Sequence, residues 1–299
     1  MCKDGVIVVK KESGPTSQRV VSEIKRIFGT KTAGHTGTLD PLADGVLPVL
    51  VGRGVKASEF MLTADKHYRA TLLLGVETDT EDITGEIIAE SADIPEPERV
   101  FEVIRGFVGK IYQTPPMYSA LKVGGKKLCD LARRGVTVER EAREVEIYSI
   151  DALGISEREY SLEVHCSKGT YIRTLCADIG RALGCFGTMK TLTRTVASGF
   201  PLSEAHTLDE LRSMSEAERE RTVIPTERIF AELPRVTLPD FYARLAHSGL
   251  EIYLVKIKAV FECGARVRLC DARGFFALGE VREYESGLAI KPIRQFRID

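Results

Sequence analysis

At 299 residues, 43% of them apolar, the chain is long enough to build a sizeable core as one large domain with a smaller one. Its formal charge of −1 gives no overall basic field, so a nucleic acid partner is indicated only if Lys and Arg cluster locally. Seven cysteines at irregular spacing, with no C-x-x-C pair, argue against a disulfide framework and a zinc site and suggest reduced thiols in the cytosol.

In chain order, Gly5 to Val9 reads as a short buried strand. A turn at Ser13-Gly14-Pro15 follows. Thr16 or Ser17 can then cap a helix with Val20, Val21, Ile24, Ile27 and Phe28 on one face, closed by Gly29. Residues 34–45, G-H-T-G-T-L-D-P-L-A-D-G, hold three glycines and a proline, so neither a regular helix nor a central strand is expected. This is a shaped loop. Pro41 drives the preceding Asp40 towards extended geometry, and Val46 to Val51 reads as a buried strand. A carboxylate on a stiff loop beside a buried strand suits chemistry. On residues alone, a glycine-rich turn whose Asp caps a neighbouring amide explains the stretch equally well.

Lys56 to Leu62 reads as one or two helical turns. Lys66 to Leu72 alternates as a strand, with Tyr68 near its start. Glu77 to Asp82 lacks calcium-loop spacing and reads as a solvated acidic turn. A helix from about Glu98 carries Val100, Val103, Ile104 and Phe107. The proline segment Gln113 to Lys122 leads to a turn, Val123 to Lys126, and a helix from Lys126 to Arg134 closed by Gly135. Lys122, Lys126, Lys127, Arg133 and Arg134 form the densest basic patch of the chain, facing the single acid Asp130. Most such runs are solvated helix faces; this one has the surplus to neutralise several phosphates. Two strands, Val145 to Leu153 and Tyr160 to Cys166, precede a helix from Thr170 to Leu183 that buries Ile172, Leu175, Cys176 and Ile179. Arg173 lies in its first turn, where the helix dipole disfavours a cation. Pairing with a buried carboxylate resolves that conflict. Thr188 to Val196 follows, then a charged helical stretch over 203–232. From about residue 234 the pattern is of short strands at Leu254 to Val260, Ala265 to Cys270, Phe275 to Val281 and Leu288 to Pro292. Eleven Lys or Arg face eight Asp or Glu there.

Four stretches resemble the TruB family of pseudouridine synthases. They are the loop around Asp40, which is similar to G-H-T-G-T-L-D-P-L-A-x-G-V-L-P, the K-x-Y-x-A at Lys66, the C-S-K-G-T-Y-I-R of residues 166–173, and the L-T-R-T-x-x-S-G-F that begins at Leu192. The resemblance spans most of residues 5–232. It departs where Lys10, Lys11 and Glu12 stand for the family's D-K-P, and where Asp44 replaces a threonine, adding a second acid near the loop. The implied fold is mixed α/β: a largely antiparallel sheet flanked by helices over residues 1–233, with an RNA-covering insertion at about 112–143. A small PUA-like β-barrel over 234–299 completes it, either touching RNA or purely structural.

The resemblance implies conversion of one uridine to pseudouridine in the T loop of transfer RNA, at position 55, with no cofactor and no metal. Asp40, Tyr68 and Arg173 would be catalytic. Arg173 would hold Asp40 ionised, bidentately through its planar fork. Asp40 would attack C1′ of the ribose, add to C6 of the ring, or promote loss of the C2′ proton. Tyr68, Tyr171 and Leu192 would line the pocket, and His35 would fill the space the flipped base leaves. The basic patch from Lys122 to Arg134 would meet RNA backbone. Transfer RNA is the implied partner, with no obligatory protein partner and a monomeric chain. No basic segment followed by an apolar core suggests a secretory signal, and no apolar run approaches the ~20 residues that span a membrane, so a cytoplasmic location is expected. Two other classes compete. A glycoside hydrolase would need a second acid roughly 5–9 Å from the first. A non-catalytic RNA-binding protein would need the basic patch and the barrel, without pairing Asp40 to Arg173.

Overall fold

In a computed structural model, residues 4–297 are described, apart from the side chain of Lys127. The chain starts with β1 (Gly5–Lys11), whose apolar residues are buried on both faces. Thr16 caps α1 (Ser17–Ile27) by accepting from the Arg19 N–H, and Val20, Val21 and Ile24 face inward. Then come β2 (Ala33–His35), β3 (Asp44–Val51) and the short α2 (Ser58–Leu62). Alternation in β4 (Lys66–Leu74) puts Lys66, Tyr68, Ala70, Leu72 and Leu74 on the buried face. A two-stranded hairpin, β5 (Val76–Thr78) and β6 (Ile87–Glu90), stands off the main sheet.

After α3 (Pro97–Arg105) and β7 (Gly109–Gln113) the basic stretch forms a tight hairpin, β8 (Lys122–Val123) with β9 (Lys126–Lys127). Its helix α4 (Leu128–Ala132) is therefore shorter than expected, because Lys126 and Lys127 pair as strand. The sheet resumes with β10 (Arg143–Gly154) and β11 (Glu159–Cys166). It continues through α5 (Ile172–Leu183), which Gly184 ends in the left-handed region, and β12 (Gly187–Ala197). After the two-residue β13 (Phe200–Pro201), the stretch expected as one helical region divides into α6 (Leu208–Ser213) and α7 (Glu216–Thr222). Ser215 explains the break. With Glu218 it forms a second capping box, as Thr207 and Glu210 do for α6.

With β14 (Ile224–Pro225) the large sheet is complete, in the order β14-β1-β3-β12-β4-β11-β10-β7. Every pairing is antiparallel except β3 with β12, where Asp44 meets Thr193 and Gly45 meets Arg194. Gly45 has φ +102°, and a Cβ there would lie 2.3 Å from the Arg194 carbonyl oxygen, so only glycine allows this close approach. Residues of α1, α3 and α5 pack with the sheet into the main core.

The C-terminal part contains β15 (Arg235–Thr237), α8 (Asp240–His247), β16 (Ile252–Tyr253), α9 (Leu254–Ile257), β17 (Arg266–Asp271), β18 (Gly274–Tyr284) and β19 (Gly287–Gln295). Its five strands curl into a half-barrel in the order β15-β17-β18-β19-β16. Two readings fail here. Leu254 to Val260 is not a strand, and α8 was not foreseen. Leu254 and Ile257, three residues apart, turn together into the local core, whereas Val255 and Val260 stay in water. Burial, not β-propensity, decides that segment. A third cluster joins the two sheets. It packs Leu278 and Phe296 against Val6, Val8 and Phe230.

Candidate active site

The loop between β2 and β3 is fastened from behind along most of its length. Ser17, one residue past the helix cap, accepts from the Leu39 N–H at 2.8 Å and donates to the Leu39 carbonyl at 3.0 Å. Arg194 is buried and donates to the carbonyls of Val46, Thr38 and Gly37 at 2.8, 3.4 and 3.1 Å. The fully buried Lys11 donates to Pro41 and Ala43 carbonyls at 3.2 and 2.5 Å. Burial is the main reason its pKa falls to about 8; Asp44 and Asp40 resist that fall. Leu39 is anchored in the core. The Asp40 carboxylate is left facing a cavity.

Arg173 meets it, with Nε 2.9 Å from Oδ2. The expected bidentate grip is not present. The other two nitrogens donate elsewhere, Nη1 to the Thr80 carbonyl at 3.1 Å and Nη2 to the Tyr118 carbonyl at 2.8 Å. One guanidinium thus gathers the Asp40 loop, the β5–β6 hairpin and the segment after β7. Tyr171 precedes the helix, and both its backbone groups are held by the side-chain amide of buried Gln113, at 3.0 and 3.1 Å. Nor does Arg173 pull Asp40 below the ordinary carboxylate range. Burial raises its pKa and Asp82 adds to that; the arginine only partly offsets them.

Asp82 corrects the reading of 77–82 as a solvated turn. It is buried, with Oδ2 3.9 Å from Arg173 Nε. Its Oδ1 accepts from Thr80 Oγ1, Thr84 Oγ1 and the Thr84 N–H at 2.9, 2.5 and 3.0 Å. Next to it, Glu81 accepts from Thr174 Oγ1 of α5 at 2.6 Å, tying the hairpin to the helix. A second acid therefore does lie near Asp40, as a glycosidase would require, but three donors and an arginine occupy it. The T-D-T-E-D spacing alone carried no sign of this fold-back.

Asp40, Tyr68, Tyr171, Arg173 and Leu192 line one cavity of about 330 Å³, together with Lys66 and Arg194. Tyr68 is 8% exposed. Burial raises its phenol pKa, which Arg194 opposes, and burial likewise raises that of Tyr171. His35 is not among that cavity's lining. It faces the adjoining groove of about 900 Å³, and its Nδ1 accepts from the Gly37 N–H at 3.4 Å. Burial, then Arg194, lowers its pKa. Arg133 of the basic patch borders this groove, paired with Asp130 at 3.4 Å. Lys122, Lys126 and Arg134 border a separate concavity beside it. The Lys127 side chain lies outside the described part. Lys11, Asp82, Gln113 and Arg194 were missed as site residues. Arg194 was findable, since it stands two residues from Leu192 in the same motif. Asp44 sits at the parallel β3–β12 contact, with one buried carboxylate oxygen that accepts no hydrogen bond. Among the described residues no three His, Cys, Asp or Glu side chains gather as a metal site, and no helix is long and apolar enough to cross a membrane.

A mixed, mostly antiparallel sheet followed by a curled C-terminal half-barrel is a fold shared with Cbf5-type pseudouridine synthases. The chain matches the TruB family pseudouridylate synthase N-terminal domain over residues 25–172 and the tRNA pseudouridylate synthase B C-terminal domain over 173–231. It is 43% identical to the tRNA pseudouridine synthase B of Alkaliphilus oremlandii (strain OhILAs), over 84% of this chain and 83% of that one. It is 44% identical to that of Francisella tularensis subsp. tularensis (strain SCHU S4 / Schu 4), over 93% and 91%. Among solved structures it resembles the Cbf5 chain of a Cbf5-Nop10-Gar1 complex, with TM-score 0.76 and 29% identity over 98% of this chain and 85% of that one. An H/ACA RNP bound to a substrate RNA containing 2′-deoxyuridine gives TM-score 0.74 and 25% identity over the same shares. The chain belongs to the TruB family of pseudouridine synthases.

Proposed function

We propose that this chain converts uridine to pseudouridine in the T loop of transfer RNA, at position 55: its relatives' names support action on tRNA, and the position follows from the resemblance of its motifs. The observation that carries the reading is the Asp40–Arg173 pair, 2.9 Å apart, in a cavity shared with Tyr68, Tyr171 and Leu192. The uridine leaves its stack at a cost of roughly a few kcal/mol. It lies against Tyr68 with C1′ and C6 towards Asp40. The N1–C1′ bond breaks and a C5–C1′ bond forms. The C5 proton is lost and N1 ends protonated, so no redox partner is needed. Asp40 serves by attack at C1′, addition at C6, or promoting loss of the C2′ proton. A buried carboxylate with a raised pKa is more basic than a solvated one, which suits all three routes. Tyr68, kept neutral by burial, stacks on the ring and enters the C5 proton step as a phenol in a relay. His35, on the groove side, takes the vacated space in the T loop.

Residues 1–233 act as the catalytic part, with 112–143 closing over the RNA, and 234–299 as an RNA-binding part. Lys122, Lys126, Lys127, Arg133 and Arg134 meet phosphates. The enzyme works as a monomer in the cytoplasm, without cofactor or obligatory protein partner. The test uses transfer RNA tritiated at uracil C5, with pseudouridine mapped before and after treatment. The parent should release tritium and mark one T-loop uridine. Asp40→Asn should abolish release while holding RNA affinity within about tenfold, roughly 1.4 kcal/mol. Appreciable pseudouridine from Asp40→Asn, or none from the parent, would refute the assignment.

A further inference from the structure

Lys66 opens β4 and shares the inward face of that strand with Tyr68. Residues two apart on a strand lie about 7 Å apart on the same face. The lysine is 8% exposed, yet it borders the cavity that holds Asp40 and Tyr68. Its ammonium donates to the Leu62 carbonyl at 3.4 Å and to the Ala64 carbonyl, which leaves one N–H without an acceptor among the described residues. Among the described residues no carboxylate lies within ion-pairing distance of it. The adjacent acid, Asp65, points to other partners: it accepts from the Tyr148 hydroxyl at 3.3 Å and lies 3.9 Å from His165.

Other cations reinforce this corner. Arg194 borders the same cavity, makes no ion pair among the described residues, and spends its donors on carbonyls. Lys168 is exposed on the turn that leads to Gly169 and Thr170, and those two residues border the cavity beside Lys66. Burial lowers the Lys66 pKa, Arg194 and Lys168 push in the same direction, and Cys166 and Asp65 oppose them without reversing the shift. A buried ammonium beside Arg194 and Lys168, with Asp65 turned to other partners and no carboxylate in ion-pairing distance among the described residues, is costly unless an anion arrives.

We infer that Lys66, supported by Arg194 and Lys168, is the subsite for a phosphodiester adjoining the flipped uridine. The inference rests on the functional reading above and adds the anionic part of the substrate to it. With the ring on Tyr68, a flanking phosphate reaches the strand residue two positions back, where the remaining Lys66 N–H can donate to it. Phosphate contacts position a nucleic acid without reading its sequence. This one would set how deep the nucleoside sits relative to Asp40. The competing role is structural: Lys66 holding the carbonyls at and just past the end of α2 and nothing more.

The test is a double-perturbation cycle on a T stem-loop RNA. Either phosphodiester flanking the target uridine is replaced, one at a time, by a neutral methylphosphonate. Affinity across a salt series and single-turnover rate are measured for the parent, Lys66→Met and Lys66→Arg. On unmodified RNA, Lys66→Met should bind about tenfold more weakly, with a salt slope shallower by about one phosphate contact. One of the two methylphosphonates should weaken the parent similarly and Lys66→Met no further. Lys66→Arg should keep most of the parental affinity. Losses that simply multiply would overturn the inference, as would an unchanged Lys66→Met. If Lys66→Met does not fold, the parent still decides: insensitivity to both methylphosphonates rules the subsite out. A parent that forms no pseudouridine would refute the functional reading. A parent that forms it without coupling would refute only the role of Lys66.

Discussion

Replacing Arg173 by lysine is the sharpest test of the site, because it keeps the charge and removes the fork. In the parent, three nitrogens serve three segments: Asp40 at 2.9 Å, the Thr80 carbonyl at 3.1 Å and the Tyr118 carbonyl at 2.8 Å. A lysine ammonium ends a shorter, unbranched stem and can serve one of them well. Two hydrogen bonds made by a charged donor are then lost, each worth roughly 1.5–3 kcal/mol. At the low end that is about 3 kcal/mol, or roughly a hundredfold in single-turnover rate if the loss falls on the transition state. The pH profile gives a second readout. Burial already raises the Asp40 pKa, and Arg173 opposes the rise. A poorly placed lysine opposes it less, so Asp40 holds its proton to higher pH. The acid limb of the rate profile should therefore move up. The assay is single-turnover pseudouridine formation at saturating RNA across pH, with a thermal melt to confirm folding. A folded Arg173→Lys with a rate within about fivefold of the parent, roughly 1 kcal/mol, and an unmoved acid limb would refute the clamp.

Asp82→Asn should move that acid limb the other way. The Asp82 charge raises the Asp40 pKa, so its removal lets Asp40 ionise at lower pH, while turnover falls as the Thr80–Thr84 hairpin loosens; an upward shift would contradict the charge arrangement. Tyr68→Phe keeps the ring and loses the hydroxyl. It should bind RNA normally and turn over slowly, whereas near-parental rates for both Tyr68→Phe and Tyr68→Leu would make Tyr68 a packing residue. In the C-terminal sheet, burial would raise the Asp271 pKa, but Arg297, His247 and the Arg273 N–H outweigh it and bring it to about 2. Its folded pKa lies below the unfolded value of about 3.9, so its stabilisation, roughly 2 kcal/mol, is present above about pH 4 and lost as pH falls towards 2. Acid titration of thermal stability should show this loss in the parent and not in Asp271→Asn; identical curves would remove the ion cluster from the acid response.

Features that depend only on neighbours along the chain are legible from its residues. The β4 alternation, the Thr16 cap, the inward face of α5 and the glycine-proline stiffness of the Asp40 loop are local, and local rules read them. Asp40 and Arg173 could be matched because each sits in a long motif and because a cation at a helix start calls for a distant acid. Tertiary structure alone decided what the two share. That Arg173 meets Asp40 through one nitrogen, and spends the others on Thr80 and Tyr118, depends on a hairpin and an insertion folding back from far along the chain. The same return burial turned Asp82 from a surface acid into a neighbour of the site, and made Lys11 and Arg194 the rear ties of the loop. Periodicity reports which face of an element is apolar. It does not report which carbonyl a buried lysine or arginine will find, because that partner is fixed only when the sheet order brings β1, β3 and β12 side by side.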